Sequence, residues 1–67
     1  MITFTVNGEK RELEMSTKLT AFLETLGVNP RYVAVAHNGT VLQRQRWPEV
    51  VLQDGDVLEI VRMAGGG

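Results

Sequence analysis

The residues of this chain most suited to take part in chemistry are three consecutive glycines at the end of the sequence, Gly65, Gly66 and Gly67. Glycine lacks a Cβ atom, so a glycine segment is thin and mobile and can pass through a channel that is too narrow for side chains. Together with Ala64, these residues reach roughly 13 Å when extended, far enough to carry the Gly67 carboxylate into the active site of another protein. The sequence therefore predicts that residues 64–67 form a flexible C-terminal tail and that Gly67 carries the working group.

A terminal carboxylate must be activated before it can transfer a group. An α-carboxyl group has a pKa of about 3.3 to 3.7, so at neutral pH it is an anion and a poor acyl electrophile. Attack on the α-phosphate of ATP would form an acyl adenylate, from which a persulfide sulfur could displace AMP on the way to a thiocarboxylate. The magnesium, the phosphate-binding residues and the sulfur-bearing cysteine would belong to a separate activating enzyme. We therefore expect a protein co-substrate rather than an enzyme, with no catalytic residue, bound cofactor or metal of its own.

The polar side chains of the chain are weaker candidates for a chemical role. His37 lies between an apolar run and an Asn-Gly turn, and we expect an ordinary histidine at a strand end because the sequence indicates no Ser, Cys or carboxylate constellation around it. Residues 54–56, Asp-Gly-Asp, resemble part of a calcium loop but lack its further ligands, so they indicate a turn. Arg44, Arg46 and Trp47 are either a recognition patch or a partly buried tryptophan with solvated neighbours, and we favour packing for Trp47.

Composition limits the class of protein. The chain has 67 residues, 43% of them hydrophobic, with no cysteine and one histidine, which indicates one small domain without a disulfide or metal staple. The net charge of -1 argues against a broad positive surface for nucleic acid. The sequence has no long apolar stretch and its start alternates polar and apolar residues, so we expect no membrane segment, no export signal and a cytoplasmic location.

The periodicity of the apolar residues predicts the elements that must position the tail. Residues 2–6 alternate as in a strand, an Asn-Gly pair predicts a tight hairpin, and a second strand is expected over residues 9–15 with Leu13 and Met15 pointing inward. A helix follows, capped by Ser16 or Thr17 and ended by a glycine in the left-handed conformation. Its apolar face is predicted to consist of Leu19, Phe22, Leu23 and Leu26.

Further strands are predicted over residues 32–36, 40–42, 50–52 and 57–63, with an irregular surface loop over residues 43–49. The predicted order, a hairpin followed by a helix and then by further strands, is typical of an α+β protein of the β-grasp (ubiquitin-like) type. We expect a mixed sheet of four to five strands with one helix packed on one face, and the last strand in the centre, parallel to the first. Residues 1–63 would form this domain, and residues 64–67 its tail.

Val57, Val61 and Met63 share one side of the predicted last strand. If the alternate residues face the helix, these three form an apolar patch on the uncovered face of the sheet, beside the tail and with Arg62 at the rim. The patch is either a docking surface for a partner or a set of apolar residues shielded by the neighbouring strands. The glycines themselves are either the functional tail or a frayed end or expression remnant. Their direct exit from a predicted central strand favours the functional tail.

Along essentially its whole length the sequence resembles the bacterial thiamine-biosynthesis sulfur carriers, the ThiS family. The resemblance is carried by residues 33–39, Arg44, Trp47, residues 52–56, residues 58–61 and the final Gly66-Gly67. A third glycine, Gly65, and Gln43 in place of a proline common in the family are departures that do not affect the chemistry.

The resemblance implies a β-grasp fold and a cycle between carboxylate and thiocarboxylate. It implies a ubiquitin-activating-type adenylyltransferase (ThiF-like) that uses ATP and Mg, a sulfur donor such as a cysteine desulfurase, and a thiazole synthase (ThiG-like) as acceptor. Only Gly66 and Gly67 carry over as functional residues. Two alternatives stay open, the small subunit of molybdopterin synthase or another ubiquitin-like sulfur carrier, and a ubiquitin-like interaction module that is never activated.

Overall fold

A computed structural model describes residues 1–63 of the chain. In chain order the elements are β1 (Ile2–Val6), β2 (Glu9–Leu13), β3 (Thr17–Lys18), α1 (Leu19–Leu26), a first 3-10 helix (Pro30–Tyr32), β4 (Val33–His37), β5 (Thr40–Leu42), a second 3-10 helix (Arg44–Glu49), β6 (Val51–Leu52) and β7 (Val57–Arg62). Within residues 1–63, no helix has the length and apolar character needed to cross a membrane.

The main sheet has five strands in the order β2-β1-β7-β4-β5, and β3 and β6 form a separate two-stranded sheet. β7 occupies the centre, where it runs parallel to β1 and antiparallel to β4. The connection through α1 is long enough to return the chain for a parallel pairing, which a tight hairpin cannot do. The predicted α+β, β-grasp arrangement with a central last strand is therefore confirmed.

The two Asn-Gly pairs form tight turns that also bind β7. Both residues of each pair have positive φ, 52° and 84° in the first turn and 51° and 85° in the second, which asparagine and glycine tolerate best. Asn7 Oδ1 accepts from the Ile60 N–H at 2.7 Å, and Asn38 Oδ1 accepts from the Val57 N–H at 2.8 Å. Side chains from both hairpins therefore hold the central strand in register.

The core lies between α1 and one face of the main sheet. The rings of Phe4 and Phe22 meet edge to face, with centroids 5.1 Å apart, a favoured aromatic geometry. The predicted helix face is confirmed, since three of its four residues are buried and Leu26 is partly buried against them. The buried apolar residues are Ile2, Phe4, Val6, Leu19, Phe22, Leu23, Val33, Val35, Trp47, Leu52 and Leu58.

The prediction that Met15 points inward was wrong. β2 ends at Leu13, and Met15 is 70% exposed. The chain bends after Leu13 so that Thr17 can pair with Leu52 in the second sheet, and the alternation of β2 does not continue through the bend. Leu13 is partly buried against the core, as predicted.

The N-terminus of α1 also differs from its prediction. Lys18 occupies the cap position, and no side chain makes a cap hydrogen bond there. Thr17 is a strand residue, and the first helical N–H group, that of Leu19, donates to the Val50 carbonyl at 2.9 Å. A backbone carbonyl from the β6 side thus satisfies a donor that a Ser or Thr side chain was expected to satisfy. The other end follows the prediction, because Gly27 has a φ of 72°.

The stretch predicted as an irregular loop, residues 43–49, is largely a 3-10 helix built around Trp47. The indole ring is 4% exposed, and its Nε1 atom donates to the Leu42 carbonyl at 3.3 Å. The buried indole ring, with its N–H group hydrogen-bonded, stabilises this short helix. Packing of Trp47 is therefore confirmed. The strand expected from residue 32 begins at Val33, because Tyr32 belongs to the first 3-10 helix.

A carboxylate lies beside His37, which corrects the expectation that none would. The Nε2 atom of His37 is 2.9 Å from Asp56 Oδ2, and this contact is an ion pair when the imidazole is protonated. Asp56 also accepts from the Gln53 N–H and from Asn38 Nδ2. Burial alone would raise the pKa of Asp56, but the hydrogen bonds from His37, Gln53 and Asn38 lower it below its ordinary value of 3.8. The turn predicted over residues 54–56 is thus fastened to the β4–β5 hairpin.

Replacing Asp56 by asparagine is expected to lower the free energy of unfolding by about 2 kcal/mol at neutral pH, because hydrogen bonds to a charged group are lost. The pKa is lower in the folded state than in the unfolded chain. The contribution is therefore complete above about pH 4 and disappears as the pH falls through the folded pKa. Urea unfolding across this range should show a weaker acid dependence for D56N than for the unchanged chain. Glu59→Gln, which removes an exposed carboxylate, is the control, and equal acid dependence of D56N and the unchanged chain would contradict the assignment.

Candidate functional site

The strand that leads to the glycines is the central strand of the sheet. β7 pairs with β4 through the Val33–Arg62 position, and the next N–H group, that of Met63, donates to the Tyr32 carbonyl at 2.7 Å. The predicted tail, residues 64–67 with Gly67 as its reactive end, lies outside the described residues. The structure therefore establishes the starting point of this segment, which is a residue anchored to the middle of the sheet.

The two faces of β7 have different environments. Leu58 is fully buried and Ile60 is partly buried against the core, so this side faces α1. On the other side Val57, Val61 and Met63 are 45%, 58% and 43% exposed. Neighbouring strands therefore do not shield these three side chains. Their role in binding a partner stays a prediction, but they are accessible.

The exposed apolar surface is wider than the sequence indicated. Ala34 lies beside Val61 in the register, and Ala36 lies beside Val41 at the sheet edge, where Val41 is 72% exposed. Strand alternation could have found the alanines, because Val33 and Val35 are the buried residues of β4. We refer to these residues, of which the valines and Met63 are exposed and the alanines half-buried, as the open-face patch, which consists of Ala34, Ala36, Val41, Val57, Val61 and Met63.

A charged contact of Arg62 with a partner at the rim of this patch stays a prediction. Its side chain is exposed and lines a groove of about 350 Å³ together with Leu26 and Val28, on the helix side of the sheet. Alternation along β7 requires this, since Arg62 follows Ile60 by two residues. The charged group nearest in register to the open-face patch is Glu59, which is exposed and lies opposite Ala36.

The described residues can present a chain end and offer an apolar surface next to it. Within residues 1–63, no three His, Asp or Glu side chains come together in the manner of a metal site. The His37–Asp56 pair lies near the start of β7, whereas the tail follows the other end of that strand. Along β7, the described residues therefore place a hydrogen-bonded pair at one end and the start of the predicted tail at the other.

Comparison with known proteins is consistent with this arrangement. The profile of the ThiS family matches residues 4–67. The sulfur carrier protein ThiS of Thermus thermophilus is 42% identical over 62 residues, which make up 92% of this chain and 95% of that protein. The crystal structure of the thiamine biosynthesis protein ThiS from Geobacter metallireducens superposes with a TM-score of 0.85 at 35% identity, covering 98% of this chain and 100% of that one.

A longer relative contains a similar stretch. The thiazole synthase of Paramagnetospirillum magneticum is 42% identical over 62 residues, but this chain spans only 19% of its length. The family profile and the Thermus relative, in contrast, match nearly the whole chain, and the Geobacter structure shares its β-grasp fold. This chain therefore belongs to the ThiS family of sulfur carrier proteins.

Proposed function

We propose that this chain carries sulfur for thiazole formation in thiamine biosynthesis, with the Gly67 carboxylate as the group that is charged. The observation that supports this most directly is the central position of β7, which is followed by an anchored Met63 at the start of the predicted tail. A rigid domain with an exposed apolar face beside a thin chain end suits a protein that other enzymes hold and charge. The relatives named as sulfur carrier and thiamine biosynthesis proteins support the same assignment.

The chemistry proceeds in two stages. A carboxylate oxygen of Gly67 attacks the α-phosphorus of ATP, pyrophosphate leaves, and an acyl adenylate forms. A persulfide sulfur then attacks the acyl carbon and AMP leaves, after which a thiol reduces the S–S bond and releases the thiocarboxylate. A ThiF-like adenylyltransferase supplies the site for ATP and Mg, and a donor such as a cysteine desulfurase supplies the persulfide. This chain contributes the acyl group and the surface by which it is held.

The proposed acceptor of the sulfur is a thiazole synthase. The ThiS-like stretch within the Paramagnetospirillum thiazole synthase supports this pairing, because two functions joined in one chain commonly act on one another. The open-face patch is the proposed docking surface for the activating enzyme and for the synthase, since it lies on the same strand as the root of the tail. A cytoplasmic location belongs to the proposal, because the first step consumes ATP.

Intact-mass spectrometry tests the proposal. After incubation with ATP, Mg, a ThiF-like enzyme and a persulfide donor, the chain is expected to gain the mass that replaces one oxygen by sulfur. Omission of ATP or of the sulfur donor should each prevent the change. A chain whose mass stays constant in the complete mixture, while an established sulfur carrier is converted under the same conditions, would contradict the proposal.

A further inference from the structure

The last described residue, Met63, is held by a short turn that precedes β4. Its N–H group donates to the Tyr32 carbonyl at 2.7 Å, one position beyond the final pair of the β4–β7 register. On the opposite edge of β7, the register with β1 has already ended, and the Asn7 side chain binds the backbone of Ile60. The direction in which the chain leaves the sheet therefore depends on where the Tyr32 carbonyl lies.

Asn29 shapes the turn that carries this carbonyl. Its backbone oxygen accepts from the Tyr32 N–H at 3.0 Å, and its side-chain Oδ1 atom accepts from the Arg31 N–H at 3.0 Å. A side-chain acceptor at this position is the usual way to fix the first turn of a helix. Pro30 follows directly and restricts the backbone through its ring. Asn29 thus fixes both N–H groups of the first 3-10 helix.

Arg44 braces the same turn from the second 3-10 helix. Its Nη2 atom donates to the Arg31 carbonyl at 3.3 Å, and its guanidinium carbon lies 5.7 Å from the centroid of the Trp47 ring. Because Trp47 is buried in the core, the guanidinium group is stacked on a fixed surface. Arg44 therefore connects the core to the turn that binds Met63.

We propose that Asn29 and Arg44 are positioning residues for the tail, acting through the Tyr32 carbonyl on the Met63 amide. The inference rests on the proposed function, because it assumes that an enzyme charges Gly67. A fixed starting point restricts the volume that the predicted flexible tail can search, and misplaced reacting groups lower the rate of a step that depends on alignment. Met63 is the only residue of the open-face patch that this turn binds through a backbone hydrogen bond, so loss of either residue is expected to lower turnover rather than affinity for the enzyme.

Two measurements on the variants Asn29→Ala and Arg44→Ala test this. Hydrogen exchange of the Met63 amide, followed by NMR on the isolated chain, is expected to accelerate about tenfold, the usual effect of losing a cap or a brace. With a ThiF-like enzyme, kcat for adenylation should fall by a similar factor while KM for the carrier stays constant. Asn29→Asp, which retains the acceptor oxygen, should restore both values. Arg46→Ala removes an exposed arginine from the same 3-10 helix as Arg44 and is the matched control.

Failure of this inference and failure of the proposed function give different results. Unchanged exchange at Met63 in both alanine variants would overturn the inference, whatever the enzyme does. Faster exchange with an unchanged kcat would overturn the connection between the turn and charging. If the unchanged chain is not adenylated at all, the proposed function fails, while the exchange data still decide whether the two residues hold Met63. Should one alanine variant fail to fold, the other and the Asn29→Asp comparison decide the result.

Discussion

Deletion of Gly66 and Gly67 is expected to abolish thiocarboxylate formation completely while the domain remains folded. The sheet, the helix and the core between them are built among residues 2–62 as the structure describes them. The deletion leaves a carboxylate, that of Gly65, but brings it roughly 7 Å closer to the sheet, because each extended residue spans about 3.3 to 3.6 Å. A shortened chain end would not reach the reacting phosphate. Intact mass after incubation with the complete charging mixture measures the effect.

A measurement of binding to the activating enzyme distinguishes a loss of charging from a loss of docking. The deleted chain should still compete with the unchanged chain for the enzyme, because the open-face patch is intact. Gly66→Ala is the companion variant, since it preserves the length of the tail and adds only a Cβ atom that a narrow channel would exclude. Full conversion of the deleted chain to a thiocarboxylate form would show that Gly67 is not the charged residue.

Val61→Asp is expected to weaken binding to the activating enzyme by at least about thirtyfold, the effect typical of a residue at the centre of an interface. Val61 is the most exposed apolar residue of β7, at 58%, and lies in register beside Ala34 in the open-face patch. A buried, unpaired carboxylate at such a contact loses hydration without gaining a partner. Isothermal titration or competition with the unchanged chain measures the change in Kd.

The matched control for this prediction is Val51→Asp. Val51 is also an exposed strand valine, at 40%, but it belongs to β6 in the small sheet. Both substitutions should lower stability by at most about 1 kcal/mol, the span of strand propensities. Only V61D should affect binding. Equal affinities of V61D, V51D and the unchanged chain would remove the open-face patch from the proposed interface.

Periodic signals in the sequence predicted the parts of the fold that bury an apolar face. The alternation of residues 2–6, the helical spacing from Leu19 to Leu26 and the Asn-Gly turns each correspond to an observed element. The central place of β7 was also predicted, from its apolar residues on both faces and from the long connection that permits a parallel pairing with β1. These are local patterns whose physical cause lies within a few residues of chain.

The predictions failed where a distant segment decides the local structure. Met15 continues the alternation of β2 in sequence, but pairing of Thr17 with Leu52 bends the chain before it. A cap from Thr17 was unnecessary because Val50, far along the chain, supplies the acceptor. Asp56 reaches His37 only after the sheet has been assembled. A residue pattern within a short window of sequence cannot reveal partners that are so far apart in the chain.

The candidate site, like the fold, could be predicted from the sequence only in part. Val57, Val61 and Met63 are exposed on one side of β7, and strand alternation alone was sufficient to group them. Strand alternation could also have grouped Ala34 with Ala36, but the place of these alanines beside Val61 and Val41 follows from the strand order. Arg62 alternates with Ile60 and so lies on the helix side of the strand, and its contact with a partner stays a prediction.

The central position of β7 also has a mechanical consequence. A pull on the chain beyond Met63, as the proposed transfer between enzymes would exert, is directed along β7. Neighbours on both edges resist this pull lengthwise, β4 over five register positions and β1 over two. Load applied in this direction must break many hydrogen bonds together, whereas a tail leaving from an edge strand would peel away one bond at a time. Under the proposed function, a domain built in this way would resist unravelling from its C-terminal end when partner enzymes pull on it.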